Sequence, residues 1–432
     1  MCNDRIVDRV CAAVARLRAC AVLACSLVLL AVLASAQSKG RAAKGDSWRT
    51  DPYTSADPKA MARAGVVKYG PLSWGDDHDT AKIDGMMPEA KILWLETKHF
   101  RIGSTLPTMA MPKESKAKRR LSAELKELKK LLPDVKPRSK KIDRWLRLHM
   151  YAQRLEKLYA DCQGILHVTD ADFPKDYVGK LPLVRPPSFM GLGPYLGMGD
   201  KMCLLLLNKP SNLMRYSVKC GQPQAAKPDP IAVHFFDRGS LLFGTSPKFV
   251  ATSKDPDYQL QAHVQFNMTM QLLHAFRHYS HGLPAWVEEG FANSLLIEQH
   301  PTKHGFSGMK NWDRAKSYPA KWNVNSRRLA HNDFWSRGKP LSRHRYASAF
   351  TFNDQMCCWS RVDYLRSLDG GKKFARFVHL ISAPMPALSG KAPEFKHVLA
   401  AQDAALQEVF GMTWEQFDEA WKSFALSKYP RK

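Results

Sequence analysis

The sequence lacks several features that would assign it to a common class of protein. Its nine cysteines include no Cys-x-x-Cys pair, so a thiolate zinc site or a redox centre has no support. Beyond the first 36 residues, no run is apolar enough to span a membrane. The segment 191–194 is not a phosphate-binding loop, because Pro194 removes a backbone N–H that such a loop uses. These absences exclude thiol-based and phosphate-cradling sites and membrane spans beyond the N-terminal segment.

Acidic residues are scarce relative to basic ones. The chain has 65 Lys and Arg against 40 Asp and Glu, which gives a formal net charge of +25. Much of the excess lies in residues 113–141, where no nucleic-acid-binding motif accompanies it. A surface of this sign attracts acidic polymers, although solubility is the simpler explanation. An acidic polymer is therefore kept as one class of partner.

The first residues have the pattern of a secretory signal peptide. A basic front that includes Arg5 and Arg18 precedes an apolar run over residues 19–33, and Ala34-Ser35-Ala36 supplies small residues for cleavage. The apolar run is shorter than the roughly 20 residues that span a bilayer, which favours cleavage over a membrane anchor. We predict that residues 1–36 are a signal peptide and that the mature protein is secreted or periplasmic.

The mature chain would keep an odd number of cysteines. At most two internal disulfide bridges can form among them, with one thiol left over, and the pairing stays open. The neighbours Cys357 and Cys358 are expected to be buried on a helix rather than bridged to each other. The five are Cys162, Cys203, Cys220, Cys357 and Cys358.

The rest of the chain has a mixed strand and helix half followed by a mostly helical half, which predicts an α+β architecture. Residues 37–90 are polar without sustained periodicity and are expected to form an extended N-terminal arm. Residues 91–255 are expected to form a mixed lobe, and residues 256–432 a helical lobe. In the mixed lobe we predict strands at 92–102 and 202–207, helices at 113–132 and 144–166, a loop at 182–199, and a hairpin of 232–236 with 240–244.

The helical lobe is predicted mainly from apolar residues at intervals of three and four. Pro284 interrupts the pattern between the first two helices, and residues 301–343 have the composition of an irregular basic insertion. Thr413, with Gln416 three residues later, is typical of a helix N-terminus. The predicted helices are 258–279, 285–299, 344–368, 371–382, 394–409 and 413–427.

The first two helices of this lobe carry residues with metal-site chemistry. Two histidines four residues apart on a helix can bind one zinc ion, and a glutamate beside the first can activate water. A third ligand can come from a following helix. Here Met270-Gln271-Leu272-Leu273-His274 precedes Leu283-Pro284-Ala285-Trp286-Val287-Glu288-Glu289-Gly290-Phe291-Ala292.

This pair of segments resembles the zinc-binding helices of the peptidase MA-like family, which are gluzincin-type metallopeptidases. The similarity lies in the order Leu-Pro-x-Trp-Val-x-Glu-Gly-Phe-Ala, with Pro284, Trp286 and Gly290 as supporting residues. The resemblance implies a small β-containing lobe and a helical lobe with a zinc site between them. It also implies that His274 and Glu289 stand at positions of zinc ligands.

Two residues depart from the family pattern. Met270 stands where the first histidine belongs, and a thioether suits softer ions than zinc. Gln271 stands at the general-base position and cannot take a proton from water near neutral pH. Only His274 and Glu289 remain as ligands, and two ligands rarely hold a catalytic zinc ion. This register therefore assigns no catalytic residue and no cofactor.

A second register gives a different site. His274 and His278 are also four residues apart, and with Glu289 they would supply three zinc ligands. Ala275 then stands at the base position, so zinc could bind while hydrolysis stayed impaired. A third interpretation is that these histidines form a polar side of the helix without a ligand. Elsewhere, His99 and His234 stand alone in strand or loop contexts.

The sequence thus predicts an exported, peptidase-like protein that has lost catalysis and binds a peptide or protein. One alternative is an active zinc metallohydrolase that uses His274, His278 and Glu289. Another alternative is a basic surface protein that binds acidic polymers. Metal content separates the first two, and the salt dependence of binding separates the third.

Overall fold

A computed structural model describes residues 47–176, 186–220, 230–250, 255–279, 282–303, 321–382 and 395–432. The chain divides into two compact units, Met1–Asp51 and Pro52–Lys432, and the second contains the described strands and α-helices. The predicted signal peptide lies outside the described residues. Within the described ranges, every helix is too short or too polar to cross a membrane.

A six-stranded mixed sheet accompanies the helices, and the predicted α+β class is confirmed. Its strand order is β1-β2-β3-β6-β8-β7, and β4 pairs separately with β5. Strands β3, β6 and β8 are parallel, whereas the pairs β1–β2, β2–β3 and β7–β8 are antiparallel. The strands are β1 Lys68–Tyr69, β2 Leu93–Glu96, β3 Phe100–Ser104, β4 Met109–Ala110, β5 Lys141–Ile142, β6 Met202–Leu206, β7 Ile231–Phe235 and β8 Ser240–Thr245.

The α-helices flank the sheet and form the C-terminal part of the fold. Those of the first half are α1 Pro58–Arg63, α2 Thr80–Met86, α3 Ser115–Leu131, α4 Arg144–Leu166 and α5 Pro210–Cys220. Those of the second half are α6 Pro256–Ala275, α7 Ala285–Gln299, α8 Trp322–His331, α9 Gly338–Ser342, α10 Phe352–Ser367, α11 Lys372–Ile381, α12 Phe395–Phe410 and α13 Trp414–Lys428.

The middle of the sheet is covered on both faces. Every residue of β6 is buried, as the continuous apolar run of a strand between two layers requires. Alternate β6 side chains join a core cluster with Trp74 and Tyr216 on one face. On the other face α6 crosses β8, where the rings of His263 and Phe243 lie 5.5 Å apart. The helix that carries His274 is therefore anchored on the sheet.

Residues 52–90 differ from the extended arm expected over residues 37–90. They form α1, β1 and α2, and the side chains of Asp57 and Asp79 accept N–H groups at the starts of the two helices. Trp74 is fully buried, and its Nε1 donates to Tyr216 Oη at 3.0 Å. Such short elements leave no sustained apolar period in the sequence, so periodicity could not find them.

Two further segments differ from their predicted form. The strand expected at 92–102 is a pair of antiparallel strands, because a turn at residues 97–99 separates β2 from β3. Within the predicted basic insertion, residues 321–343 contain α8 and α9, which bury Trp322 and Leu341. The other predicted helices and the β7–β8 hairpin are confirmed within a few residues at their ends. The exceptions are α6, which ends earlier than the predicted residue 279, and α10, which begins later than the predicted residue 344. Thr413 and Gln416 form the predicted capping box.

Candidate functional site

The first helix of the predicted site, α6, ends at Ala275, earlier than predicted. Arg277 and His278 follow with φ of 62° and 70°, in the left-handed region. The Arg277 N–H donates to the carbonyl of Leu196 at 2.8 Å. A Cβ at Gly197 would lie 2.5 Å from the backbone N of His278, so only glycine allows this approach. The described part of the predicted loop, residues 186–199, therefore packs against the end of the helix, and residues 182–185 lie outside the described residues.

The buried guanidinium of Arg277 holds this turn. Its Nε donates to the carbonyl of Phe189 at 2.7 Å, and its Nη2 donates to that of Pro186 at 2.9 Å. Burial of a charged group is costly without hydrogen bonds, and backbone carbonyls supply them here. Sequence reasoning missed Arg277, because these acceptors lie far away in the chain and leave no local signal.

Met270, where the resemblance implied the position of the first zinc ligand, is a packing residue. It packs against a buried cluster between α6 and α7. A flexible thioether side chain fills an irregular gap of this kind well. The cluster consists of Ala262, Phe266, Ala292 and Leu296.

The supporting residues of the motif shape α7. Pro284 is the N-cap residue of the helix, and Trp286 is 1% exposed, with its Nε1 donating to Gln402 Oε1 at 2.9 Å. A Cβ at Gly290 would lie 2.5 Å from the carbonyl oxygen of Cys358, so a larger side chain would push α7 and α10 apart. Pro284 thus marks the start of α7, Trp286 anchors the helix in the core, and Gly290 allows it to pack closely against α10.

His274 meets the first glutamate of α7. Its Nε2 lies 3.3 Å from Glu288 Oε1, and the two side chains are 18% and 15% exposed. Glu289 is fully buried. Burial raises the pKa of the Cys358 thiol on α10, and the charge of Glu289 adds to that rise. The resemblance implied a ligand role for Glu289, whereas the carboxylate within 3.3 Å of His274 is that of Glu288.

Aromatic rings extend this site toward the sheet. The Tyr279 ring lies between two imidazoles, with centroids 4.2 Å from that of His234 and 5.5 Å from that of His274. The rings of His234 and His278 are 6.4 Å apart. His234 belongs to β7, the edge strand of the described sheet. Residues that appeared isolated in the sequence therefore meet at the joint of α6, α7 and β7.

Burial in the joint raises the pKa of two groups, Glu288 and Tyr279. Burial raises the pKa of Glu288, and the nearby His274 only partly opposes this rise. Burial also raises the pKa of Tyr279, and Glu288 adds to the effect. The side chains of His274 and Glu288 can therefore hydrogen-bond to a polar ligand. Gln271, where the resemblance implied the general-base position, has no titratable group.

The three-ligand register required His278 to lie one turn beyond His274 on the same helix. The end of α6 at Ala275 removes that geometry. Among the residues that the structure describes, no group of three His, Cys, Asp or Glu side chains could hold a metal ion. The predicted ligands His274, His278 and Glu289 are thus not assembled as such a group.

Two other groups of residues bear on the sequence predictions. The five cysteines Cys162, Cys203, Cys220, Cys357 and Cys358 are all buried and free. In the basic run, Lys116, Lys118 and Arg119 are exposed. Arg120 instead lies over the Tyr258 ring and pairs with Asp255 at 3.0 Å, so it does not belong to an exposed basic surface.

Comparison with protein-family models, curated proteins and solved structures gives no match for this chain. The likeness to the peptidase MA-like family therefore rests on the motif of α6 and α7. It enters the functional argument as a proposal.

Proposed function

We propose that this chain is an exported, peptidase-like protein that binds a peptide at the joint of α6, α7 and β7 without hydrolysing it. The observation that carries the proposal is the pairing of His274 with Glu288 at 3.3 Å, beside a glutamine at the base position. The pair offers polar contacts to a ligand. The catalytic parts of a zinc peptidase are replaced by residues that pack or that cannot titrate.

Hydrolysis by a zinc peptidase needs three protein ligands and a carboxylate that accepts the proton of the attacking water. Met270 packs against the cluster between α6 and α7, and Glu289 is fully buried. Gln271 cannot accept the proton. Loss of a general base alone typically lowers the rate by a factor of about 10²–10⁴.

A peptide is the ligand class that this joint fits best. An extended peptide can add to the edge of a sheet through main-chain hydrogen bonds, and side-chain pockets then give selectivity. Strand β7 stands at the edge of the described sheet, and the His234 ring beside the joint lies 4.1 Å from that of Phe236. Phe236 is 62% exposed and offers an apolar contact next to the polar pair. The edge of β7, the exposed ring of Phe236 and the pair of His274 with Glu288 could together bind a short extended peptide.

The test combines a cleavage assay with a binding assay on the purified mature protein. Labelled casein, with and without added zinc, is expected to stay intact. An immobilised library of random heptapeptides is expected to yield bound sequences. Phe236→Asp should weaken their binding about tenfold, because it puts a charge in the apolar contact. Phe334→Asp is the matched control, since Phe334 is 73% exposed and lies outside the joint.

Three outcomes would each contradict a part of the proposal. Zinc-dependent casein cleavage that His274→Ala abolishes would favour the active metallohydrolase. Equal loss of peptide binding in Phe236→Asp and Phe334→Asp would place the interaction outside the joint. Retention of residues 1–36 in exported material, read by intact mass, would contradict the signal-peptide part.

A further inference from the structure

A second concave site lies away from this joint. An open cavity of about 450 Å³ is lined by α3, α4, α6 and the end of α7. Its wall residue Val264 precedes His274 by about ten residues, or roughly 15 Å along the helix. A volume of this size is in the range of small-molecule sites. The cavity is therefore large enough for a ligand of its own.

Much of the wall is apolar. The side chains of Met150, Leu155 and Leu158 come from α4, and that of Val264 comes from α6. Burial of an apolar ligand body against such a wall is favourable in proportion to the area removed from water.

Five polar atoms of the wall have no hydrogen-bond partner among the described residues. Arg120 Nε and Arg154 Nη2 belong to side chains in ion pairs. The other three belong to uncharged groups: Tyr151 Oη, His300 Nδ1 and Gln261 Oε1. Tyr151 is 2% exposed and His300 is 4% exposed. Buried polar groups in folded proteins are nearly always hydrogen-bonded, because an unmade bond is costly. Three such atoms on one cavity wall indicate that something within the cavity satisfies them.

The hydrogen-bond roles of two of these atoms can be assigned. Gln265 Nε2 donates to the carbonyl of Leu295 at 3.1 Å, so its Oε1 faces His300 Nε2 at 2.8 Å as an acceptor. Burial and nearby cations, including Arg154, lower the pKa of His300 to about 4, so the ring is neutral at pH 7. Nε2 therefore carries the proton, and Nδ1 is an acceptor. Burial raises the pKa of Tyr151, so its hydroxyl keeps a proton to donate.

The charged groups of the wall are already paired. Arg154 lies 2.7 Å from Glu124, and the pair of Arg120 with Asp255 lies beside them. An ionic ligand would have to compete with these pairs. An uncharged ligand need only supply the missing hydrogen bonds.

We propose that this cavity binds an uncharged, amphipathic small molecule that carries an alcohol or amide group. Its O–H or N–H donates to His300 Nδ1 or Gln261 Oε1, and an oxygen of the same group accepts from Tyr151 Oη. Its apolar body lies against Leu155 and Val264. The proposal is independent of the peptide site at the α6–α7 joint.

The test uses three probes of similar shape and measures binding to the purified mature protein by ligand-observed NMR titration. Benzyl alcohol is expected to bind with a Kd of about 1 mM, typical of a ligand of its size. Toluene and benzoate should bind more weakly, since one lacks the donor and the other is charged. Tyr151→Phe should weaken benzyl alcohol binding about 2- to 12-fold, as expected for one lost hydrogen bond.

The matched control is Tyr159→Phe, which removes a buried tyrosine hydroxyl from the same helix but outside the cavity. It should leave probe binding unchanged. Gln261→Met, of similar shape, provides a second variant should Tyr151→Phe alter the fold. Equal binding of toluene and benzyl alcohol, tighter binding of benzoate, or equal effects of Tyr151→Phe and Tyr159→Phe would each overturn the proposal. The proposal would also be overturned if benzyl alcohol did not bind at a concentration 20-fold above the expected Kd. Water alone would then occupy the cavity.

Discussion

Two histidines of this chain meet carboxylates in differently built surroundings. His99 is enclosed, with Nδ1 2.6 Å from Glu156 and Nε2 3.2 Å from Asp170. Its ring also stacks on that of Tyr159, with centroids 3.8 Å apart. His274 meets the carboxylate of Glu288 at 3.3 Å, and its side chain is twice as exposed as that of His99, at 18% against 9%.

This difference indicates that the cluster around His99 stabilises the fold, whereas the cluster around His274 can bind a ligand. The backbone N–H of His99 also donates to Glu156, at 2.9 Å, so the cluster ties the start of β3 to α4. In that cluster both ring nitrogens have partners within the protein. The joint at His274 is held instead by Arg277 and by the packing of α7. Because His274 contributes less to the stability of the fold than His99 does, it can serve in ligand binding.

The largest expected effect separates the two histidines by stability. His99→Ala would leave two carboxylates without their shared partner and remove the stacking on Tyr159. We expect a loss of about 3 kcal/mol in the free energy of unfolding. His274→Ala should cost less than about 1 kcal/mol, because its pair is partly exposed. Urea denaturation of both variants measures the difference.

Lys98→Ala is the control for this comparison. Lys98 also pairs with Asp170, but its side chain is 71% exposed, so the change should be within about 0.5 kcal/mol. Equal decreases in the free energy of unfolding for His99→Ala and His274→Ala would show that both clusters stabilise the fold to the same extent. That result would contradict the distinction between them.

A smaller effect concerns acid stability. Burial favours a raised pKa for Glu156, but the hydrogen bonds with His99 more than offset it, so the pKa lies below the usual value of 4.5. A carboxylate of this kind stabilises the fold fully above its unfolded pKa and loses the contribution as the pH falls through its folded pKa. Glu156→Gln should therefore cost about 1–2 kcal/mol at pH 7 and less at pH 3, which lies below the usual value of 4.5.

Denaturation curves at the two pH values test this prediction. Glu127→Gln serves as the control, since the Glu127 side chain is 67% exposed and pairs only with Lys130 in the described contacts. A penalty for Glu156→Gln that persists unchanged at pH 3 would show that its contacts, rather than its charge, stabilise the cluster.

The smallest effect has the opposite sign. The pKa of Glu288 is raised by burial, so its charged form destabilises the fold at neutral pH. Glu288→Gln should raise the free energy of unfolding by about 0.5 kcal/mol at pH 7, and the gain should fade as the pH falls toward 4.5, the usual value. Thermal or urea unfolding across this range measures it. A loss of more than about 1 kcal/mol would contradict the prediction and indicate that a bound cation holds the charge.

Much of the fold could be predicted from patterns within single elements. The apolar repeat of α4 and the turn between β7 and β8 gave correct elements, because each rests on interactions between near neighbours. The short elements of residues 52–90 could not be found in this way. They are stable through Trp74 and the core under the sheet, which the sequence pattern does not encode.

The sequence predicted which two helices carry the candidate site, but it did not predict which side chains contact each other there. The motif led to α6 and α7, with Trp286 and Gly290 in the packing roles that their sizes require. It could not show that Glu288 would meet His274. Adjacent residues of a helix point about 100° apart, so a small rotation of α7 decides which glutamate reaches the joint.

The sequence by itself determined the α+β order, the separation of the two site helices at Pro284 and the absence of a titratable group at Gln271. These follow from local periodicity, backbone constraints and side-chain chemistry. Only the tertiary structure decided that α6 ends at Ala275, since the turn residue Arg277 donates to the carbonyls of Leu196 and Phe189, which lie elsewhere in the chain. Spacing along a chain fixes which side chains share an element, whereas the packing of elements fixes which side chains meet.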